Sequence, residues 1–314
     1  MDDVWDCIVV GGGAAGLSAA LALGRARRRT LVVDAGGQSN RPAHGIGGLL
    51  GHDGRPPAEL YAAGRAELAA YPSVKVRDGE VVAGARRDGA FVLELAGGAV
   101  ERARRVLLAT GMDYRHPALP GMAERWGRSV FHCPFCHGWE VRGRPLAVLD
   151  GDATGVERAL MLRMWSEDVT LLTDGPAGFG AADAGRLASA GVAVDERRVA
   201  GVDGPADALT TVVFADGATR PCEGLLVAAV LHQRSDLAAQ LGAAAADPTP
   251  MAADALVVDA LQQTTAPGVL AAGDVLGVMP SVPNAIAAGA KAAAMTVRSL
   301  ALEAAEAAIS PAGA

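Results

Sequence analysis

Aromatic residues are scarce, 5 Phe, 3 Tyr and 4 Trp in 314 residues, and basic residues are outnumbered, 28 Lys and Arg against 35 Asp and Glu for a net charge of −7. That surplus of acid argues against the basic, phosphate-tracking surface that nucleic-acid binders need, and no nucleic-acid partner is expected. Only four cysteines occur, Cys7, Cys133, Cys136 and Cys222, and a chain of this size does not need disulfides to hold its fold. Basic residues are also scarce at the start, where a secretory signal would carry them. The start, Met1 to Asp6, is acidic and leads directly into a β-like run at Cys7 to Val10, which points to the cytoplasm. The most apolar long stretch, 269–290, is broken by Asp274, Asn284 and several prolines and glycines, so no membrane-spanning segment is expected. What the chain does have is 51% hydrophobic residues and length enough for two ordinary domains, which excludes a disordered tail protein.

The apolar run before Gly11 is followed by Gly11, Gly12, Gly13, Ala14, Ala15 and Gly16, then by an alanine- and leucine-rich helical stretch from Leu17 to Arg27 and a second strand-like run, Thr30 to Val33. This is a βαβ unit with G-x-G-x-x-G at Gly11, Gly13 and Gly16. The first glycine permits the tight turn, the second lets a pyrophosphate approach the backbone, and the third lets helix and strand pack closely. Asp34 follows near the spacing at which an acid meets a ribose in dinucleotide folds. A glycine-rich turn without a ligand would leave the flanking strand, the helix and Asp34 unexplained. The motif alone does not separate FAD from NAD.

Further strands are expected at 74–76, 91–95 and 106–108, the last running into Ala109, Thr110 and Gly111. The βαβ pattern then restarts with a strand at 145–149, a helix from Val156 to Trp165 and a strand at 169–172, so two nucleotide-type domains are implied. The final third carries a strand ending at Ala271, Ala272, Gly273 and Asp274 and a long helix from Asn284 towards Ala307, with a tail, Ser310 to Ala314, expected to fray.

Between the two patterns stands Phe131-His132-Cys133-Pro134-Phe135-Cys136-His137-Gly138-Trp139-Glu140. C-x-x-C lets two thiols close a small redox-active ring. Zinc is the rival, but structural zinc wants four ligands, and Cys7 and Cys222 are isolated, so no metal is expected. Phe135 and Trp139 fit an apolar wall for a small substrate and ordinary core aromatics equally well. Cys7 reads as a buried small hydrophobe, Cys222 has no visible role, and His44, His52, His116 and His232 have no metal-ligand spacing.

In this order the motifs resemble the thioredoxin-reductase-like flavoproteins: G-x-G-x-x-G at 11–16, A-T-G at 109–111, C-x-x-C at 133–136, and Thr264-Thr265-Ala266-Pro267-Gly268 followed by Ala271-Ala272-Gly273-Asp274. The resemblance covers nearly the whole chain. It implies an α/β fold with two Rossmann-like domains of the thioredoxin reductase type, an FAD domain (1–115 and 246–314) split by an inserted central domain (116–245). It also implies FAD held by the Gly11–Gly16 turn, Asp34, Gln38, Asn40, Val82 through its backbone, Ala109 to Gly111, Gly273 and Asp274, with a homodimer as the usual assembly.

The sequence departs from the reductase pattern in two places. Where those enzymes carry a second glycine motif for NADPH, this chain reads Asp150-Gly151-Asp152-Ala153-Thr154-Gly155, with carboxylates in place of two glycines. Bulk and charge there oppose a pyrophosphate, and the arginine cluster that clamps the 2′-phosphate is missing after Leu172. His137 stands where ordinary thioredoxin reductases place an aspartate. The run Cys133 to Glu140 and the loop 51–57 resemble instead the flavin-dependent dithiol oxidases that close disulfides in natural products such as gliotoxin and holomycin. In that branch a substrate thiolate attacks the outer cysteine, Cys133, and Cys136 faces the flavin. O2 reoxidises the flavin to give H2O2, and His137, with His132 second, is the candidate base. The alternative is a disulfide reductase drawing electrons from NADPH or ferredoxin, and a non-enzymatic flavin-binding protein is the third reading.

Overall fold

The structure is a computed structural model that describes residues 4–309, at Ala307 the backbone only. The expected fraying of Ser310 to Ala314 lies outside the described residues. The chain divides into two compact units. One holds the segment through Ser39, Pro57–Tyr114 and everything from Leu231 onward, and the other holds Asn40–Pro56 and Arg115–Val230. The sequence reading placed 40–56 in the first domain and began the return to it at 246. The difference has a physical cause in each case. Leu231, Leu237, Ala238, Leu241 and Ala243 are buried in the core of the first unit, and the 40–56 loop is bonded to groups of the second.

The first unit is built on strands β1 (Val4–Val10), β2 (Thr30–Asp34), β3 (Val74–Asp78), β4 (Val81–Arg87), β5 (Ala90–Leu95), β6 (Val100–Leu108) and β17 (Val269–Ala271), in the order β3-β2-β1-β6-β5-β4 with β17 also on β6. β1, β2, β3, β6 and β17 run parallel. β4 and β5 return antiparallel, so the front half of β6 pairs with β5 and its last three residues with β17. All of β2 is buried, and alternate residues feed two cores, Ile8, Val10, Leu31 and Val33 on one face and Cys7, Val9, Val32 and Leu107 on the other. That is why these strands read as unbroken apolar runs. Helices α1 (Ala14–Arg25), α2 (Pro57–Leu68), α6 (Leu237–Gln240) and α7 (Val282–Ile309) and the ribbon of β7 (Met112–Arg115) with β16 (Val230–Gln233) complete the unit.

By length and composition α7 is apolar enough over Val282–Glu306 to cross a membrane, as a packed core helix can also be. One face of α7 is packed. Ala285, Ala292 and Ala293 are buried against α1, and a Cβ on Gly289 would stand 2.0 Å from the Ala15 carbonyl oxygen.

In the second unit β8 (Val130–Phe131), β9 (Leu146–Leu149), β10 (Val169–Leu172), β11 (Ala193–Asp195) and β15 (Gly224–Val227) form a parallel sheet in the order β11-β10-β9-β15-β8. Helices α3 (Pro134–His137), α4 (Ala153–Leu162) and α5 (Ala181–Ser189) accompany it. An antiparallel meander, β12 (Val199–Asp203), β13 (Thr211–Phe214) and β14 (Thr219–Pro221), adds a second layer. α4 starts three residues earlier than the apolar pattern suggested because Asp152 caps it.

Candidate active site: an open glycine turn, a closed one, and a dithiol

The turn between β1 and α1 is set by close approaches. A Cβ on Gly11, whose φ is +108°, would lie 2.1 Å from the Ala109 carbonyl oxygen, and one on Gly16 would lie 1.8 Å from that of Gly11. Gly13 is different. A Cβ there would meet only Gln38 Cγ, at 3.6 Å, and α1 starts from Gly13 with no side-chain cap. Among the described residues no side chain takes the first-turn N–H groups of α1, so this turn keeps the donors that an anionic pyrophosphate needs.

The same unit sets Asp34, Gln38, Ala109, Thr110 and Gly273 against this turn and also carries Gly111, Val82 and Asp274. Asp34 ends β2 with only 4% exposure. Burial works to raise its pKa, but hydrogen bonds from the Arg65 guanidinium and from the backbone of Gly36 and Gly12 outweigh it, and the carboxyl stays below its usual range. Gln38 Nε2 donates to both Asp34 oxygens at 3.2 Å. Gly273, with φ +88°, sits where a Cβ would be 2.9 Å from that of Ala15. Asp274 follows it, its pKa raised by burial against a 2.8 Å hydrogen bond from Tyr114 Oη. Gly111 closes the A-T-G turn at φ +66° beside Arg234, which also donates to the carbonyls of Met112 and Gly37. Val82 is half-exposed on β4, whereas Asn40 falls in the second unit. Arg65, Tyr114 and Arg234 were missed from the sequence, since nothing in their spacing marks them. A dinucleotide fits this cradle.

The second glycine turn is closed. Asp152 caps α4, its Oδ1 accepting from Thr154 N at 2.8 Å, Gly155 N at 3.4 Å and Thr154 Oγ1 at 2.7 Å. These bonds, the Thr154 side chain first, hold its carboxyl below the usual range. Asp150 accepts from Thr154 Oγ1 at 3.1 Å and from the Arg158 guanidinium. Asp174, at the end of β10, accepts from Arg198 and from Val199 N at 2.7 Å. The sequence reading found no arginine here. Arg198 reaches the place from the start of β12, but its charge is already met by Asp174. In this turn the Asp152 carboxylate already takes the Thr154 and Gly155 N–H groups that a pyrophosphate would use.

The dithiol lies in this unit. Cys133 precedes the single turn of α3, and Cys136 N donates to the Cys133 carbonyl at 3.2 Å. Both cysteines are thiols. A hydrogen bond from the Cys136 thiol, helped by the backbone N–H groups of Cys136 and Phe135 and opposed by burial, brings the Cys133 pKa down to about 7. Cys7 and Cys222 are instead buried and pushed up to about 12, and are chemically quiet at neutral pH.

Burial disfavours the charged form of both histidines. Burial, with the charges of His137 and Arg158, lowers His132 to about 4, and burial also lowers His137. His132 stacks on Trp126, which stacks on His116. His137 stacks on Phe131 and bonds through Nε2 to the Gly127 carbonyl at 2.9 Å. A carbonyl only accepts, so Nε2 carries the proton, and the buried Nδ1, which has no hydrogen-bond partner, holds the lone pair. Phe135 and Trp139 are 72% and 66% exposed, so they are not core residues. His44 pairs with Asp207 and His52 with Arg55, and no cluster that could hold a metal occurs among the described residues.

Residues 5–289 match the model of the pyridine nucleotide-disulphide oxidoreductases. A thioredoxin reductase of Claviceps purpurea, tcpT, is 33% identical over 304 residues, 91% of each chain. Among solved structures, an oxidoreductase from Agrobacterium tumefaciens is similar at 39% identity and TM-score 0.90, over 95% of this chain and 99% of that one. HlmI is similar at 34% identity and TM-score 0.90, over 98% and 96%. The chain belongs to the pyridine nucleotide-disulphide oxidoreductases, as a thioredoxin-reductase-like, FAD-binding enzyme that acts on thiols.

Proposed function

We propose that this enzyme is a dithiol oxidase that closes a disulfide in a small-molecule dithiol, with the balance R(SH)2 + O2 → RS2 + H2O2. The observation that carries the reading is the contrast between the two glycine turns: the turn at 11–16 leaves its donors for a cofactor, and the turn at 150–155 has spent them on Asp150 and Asp152. With no seat for NADPH, electrons enter through Cys133 and Cys136.

In the disulfide form a substrate thiolate attacks Cys133 Sγ, the S–S bond breaks, and Cys136 takes the electron pair. The second substrate thiol, deprotonated, attacks the substrate sulfur of the mixed disulfide and expels Cys133. A thiol with a pKa of about 7 is a good leaving group at neutral pH, so the environment of Cys133 favours product release. His137 accepts a substrate proton at Nδ1, and His132 stands second to it. The 11–16 turn, Asp34, Gln38, Asn40, Val82, Ala109 to Gly111, Gly273 and Asp274 would hold FAD, which would supply the two-electron redox chemistry that links the dithiol to O2. Phe135 and Trp139 offer the substrate an apolar face.

The reading includes a cytoplasmic location and a homodimer, and a monomer in sedimentation velocity overturns the latter. The thioredoxin reductase names of several relatives favour a second reading, a reductase fed by NADPH or ferredoxin. Anaerobic titration separates the two. Dithiothreitol is expected to bleach the visible flavin band, with air restoring it, whereas NADPH leaves it unchanged. Bleaching by NADPH overturns the oxidase.

A further inference from the structure

The 40–56 loop belongs to the dithiol unit and is tied to it at both ends of a short strap. At one end, the Arg128 guanidinium donates through Nε to the Pro42 carbonyl at 2.8 Å and through one terminal nitrogen to Asp207 at 2.6 Å, and Asp207 also meets His44 Nε2 at 3.1 Å. Ser129 Oγ donates to the Asp207 carbonyl at 2.7 Å. At the other end, Gly47 passes so close to Cys136 that a Cβ would lie 2.9 Å from its carbonyl oxygen. The turn carrying Arg128 begins at Gly127, whose N–H donates to Val130 O at 2.9 Å, whose φ is +76°, and against which Pro42 packs. The Gly127 carbonyl accepts from His137.

Gly127 O holds the His137 proton on Nε2, at hydrogen-bond distance, and the Cys133 carbonyl, just before α3, is the other backbone acceptor near the ring. If Gly127 O holds the proton, Nδ1 is left to accept. If it turns away, the proton moves to Nδ1, and the ring donates where it should accept.

We propose that Arg128 and Asp207 are positioning residues for the dithiol: they lock the strap to the 127–130 turn, so that the Gly127 carbonyl fixes His137 with Nδ1 as its proton-accepting atom. This rests on the reading of Cys133 and Cys136 as the working dithiol and His137 as its base. The planar fork of Arg128 meets two acceptors at once, which a lysine does not.

The test uses full-length, flavin-loaded, reduced protein labelled with 15N-histidine, as wild type, Arg128→Met, Arg128→Lys and Asp207→Asn, with His137→Gln to assign the signal. NMR reports the His137 tautomer, and dithiothreitol oxidation reports turnover. Melting temperature and the flavin spectrum report folding. Wild type is expected to show the Nε2–H tautomer. Arg128→Met is expected to show the Nδ1–H form and turnover about 10- to 100-fold lower, with the melting temperature kept; Arg128→Lys and Asp207→Asn, whose amide oxygen still accepts, are expected to show a measurable shift in the same direction. Should Arg128→Met unfold, the near-isosteric Asp207→Asn decides. Folded variants with the wild-type tautomer overturn the proposal, as does a tautomer change without loss of turnover. A tautomer change in variants of a wild type that oxidises no dithiol supports the clamp and instead overturns the oxidase reading.

Discussion

Cys133 and His132 show how one environment separates two neighbours. Cys133 is surrounded by donors that favour its thiolate, whereas burial first, and then the neighbouring His137 and the Arg158 guanidinium, oppose a charge on His132. Alkylation of reduced Cys133 by iodoacetamide is therefore expected to be half-maximal near pH 7, and a midpoint in the ordinary thiol range of about 8.5 counts against that environment. His132 acts on stability in the opposite pH direction from a paired histidine. The unfolded chain binds its proton near pH 6.5 and the folded chain only near 4, so the unfolded state holds more protons between those values. Stability from this group is present above pH 6.5 and is lost as the pH falls towards 4, by up to about 3 kcal/mol. Urea unfolding across that range should show the decline, and His132→Phe should flatten it; an equal slope in both proteins contradicts the assignment.

Among the elements, α1 and α4 are built to the same plan and differ at their first turns. Asp152→Ala removes the α4 cap and is expected to cost about 1 kcal/mol in denaturant unfolding, with Asp152→Asn nearly neutral because the amide oxygen still accepts. Equal losses in the two variants would mean that charge rather than capping matters. The glycine turn at 11–16, the strand–helix alternation and the dithiol were legible in the sequence because each depends on local pattern. The role of Asp150 and Asp152 was legible only by half. Their charge foretold repulsion, but the bonds to Thr154 and Arg158 that make them part of the helix end depend on side-chain geometry. Partners from distant segments, Arg65 on Asp34, Tyr114 on Asp274 and Arg198 on Asp174, leave no mark in spacing. The long α7 was legible as an alanine-rich run from Asn284, and its first two residues, Val282 and Pro283, lay outside that reading.

At the scale of the whole molecule the sequence carried the two-unit plan but misassigned two segments. The 40–56 loop follows β2 in the chain yet bonds with groups of the second unit, and 231–245 returns before any composition shift announces it. The proposed reaction fixes a stoichiometry for the complete enzyme: one O2 consumed and one H2O2 formed per dithiol closed. An oxygen electrode should show this ratio, with catalase returning half of the oxygen; oxygen uptake without peroxide contradicts the proposed balance.

The closed turn at 150–155 has a metabolic consequence. A flavin open both to NADPH and to O2 would short-circuit the cell's reducing supply, burning nicotinamide into peroxide whenever no dithiol was present. On the proposed reading, Asp152 and Asp150 would act as a tethered competitor for the dinucleotide's seat. In the proposed oxidase two carboxylates thus act as an insulator, and only a substrate able to exchange with Cys133 completes the circuit.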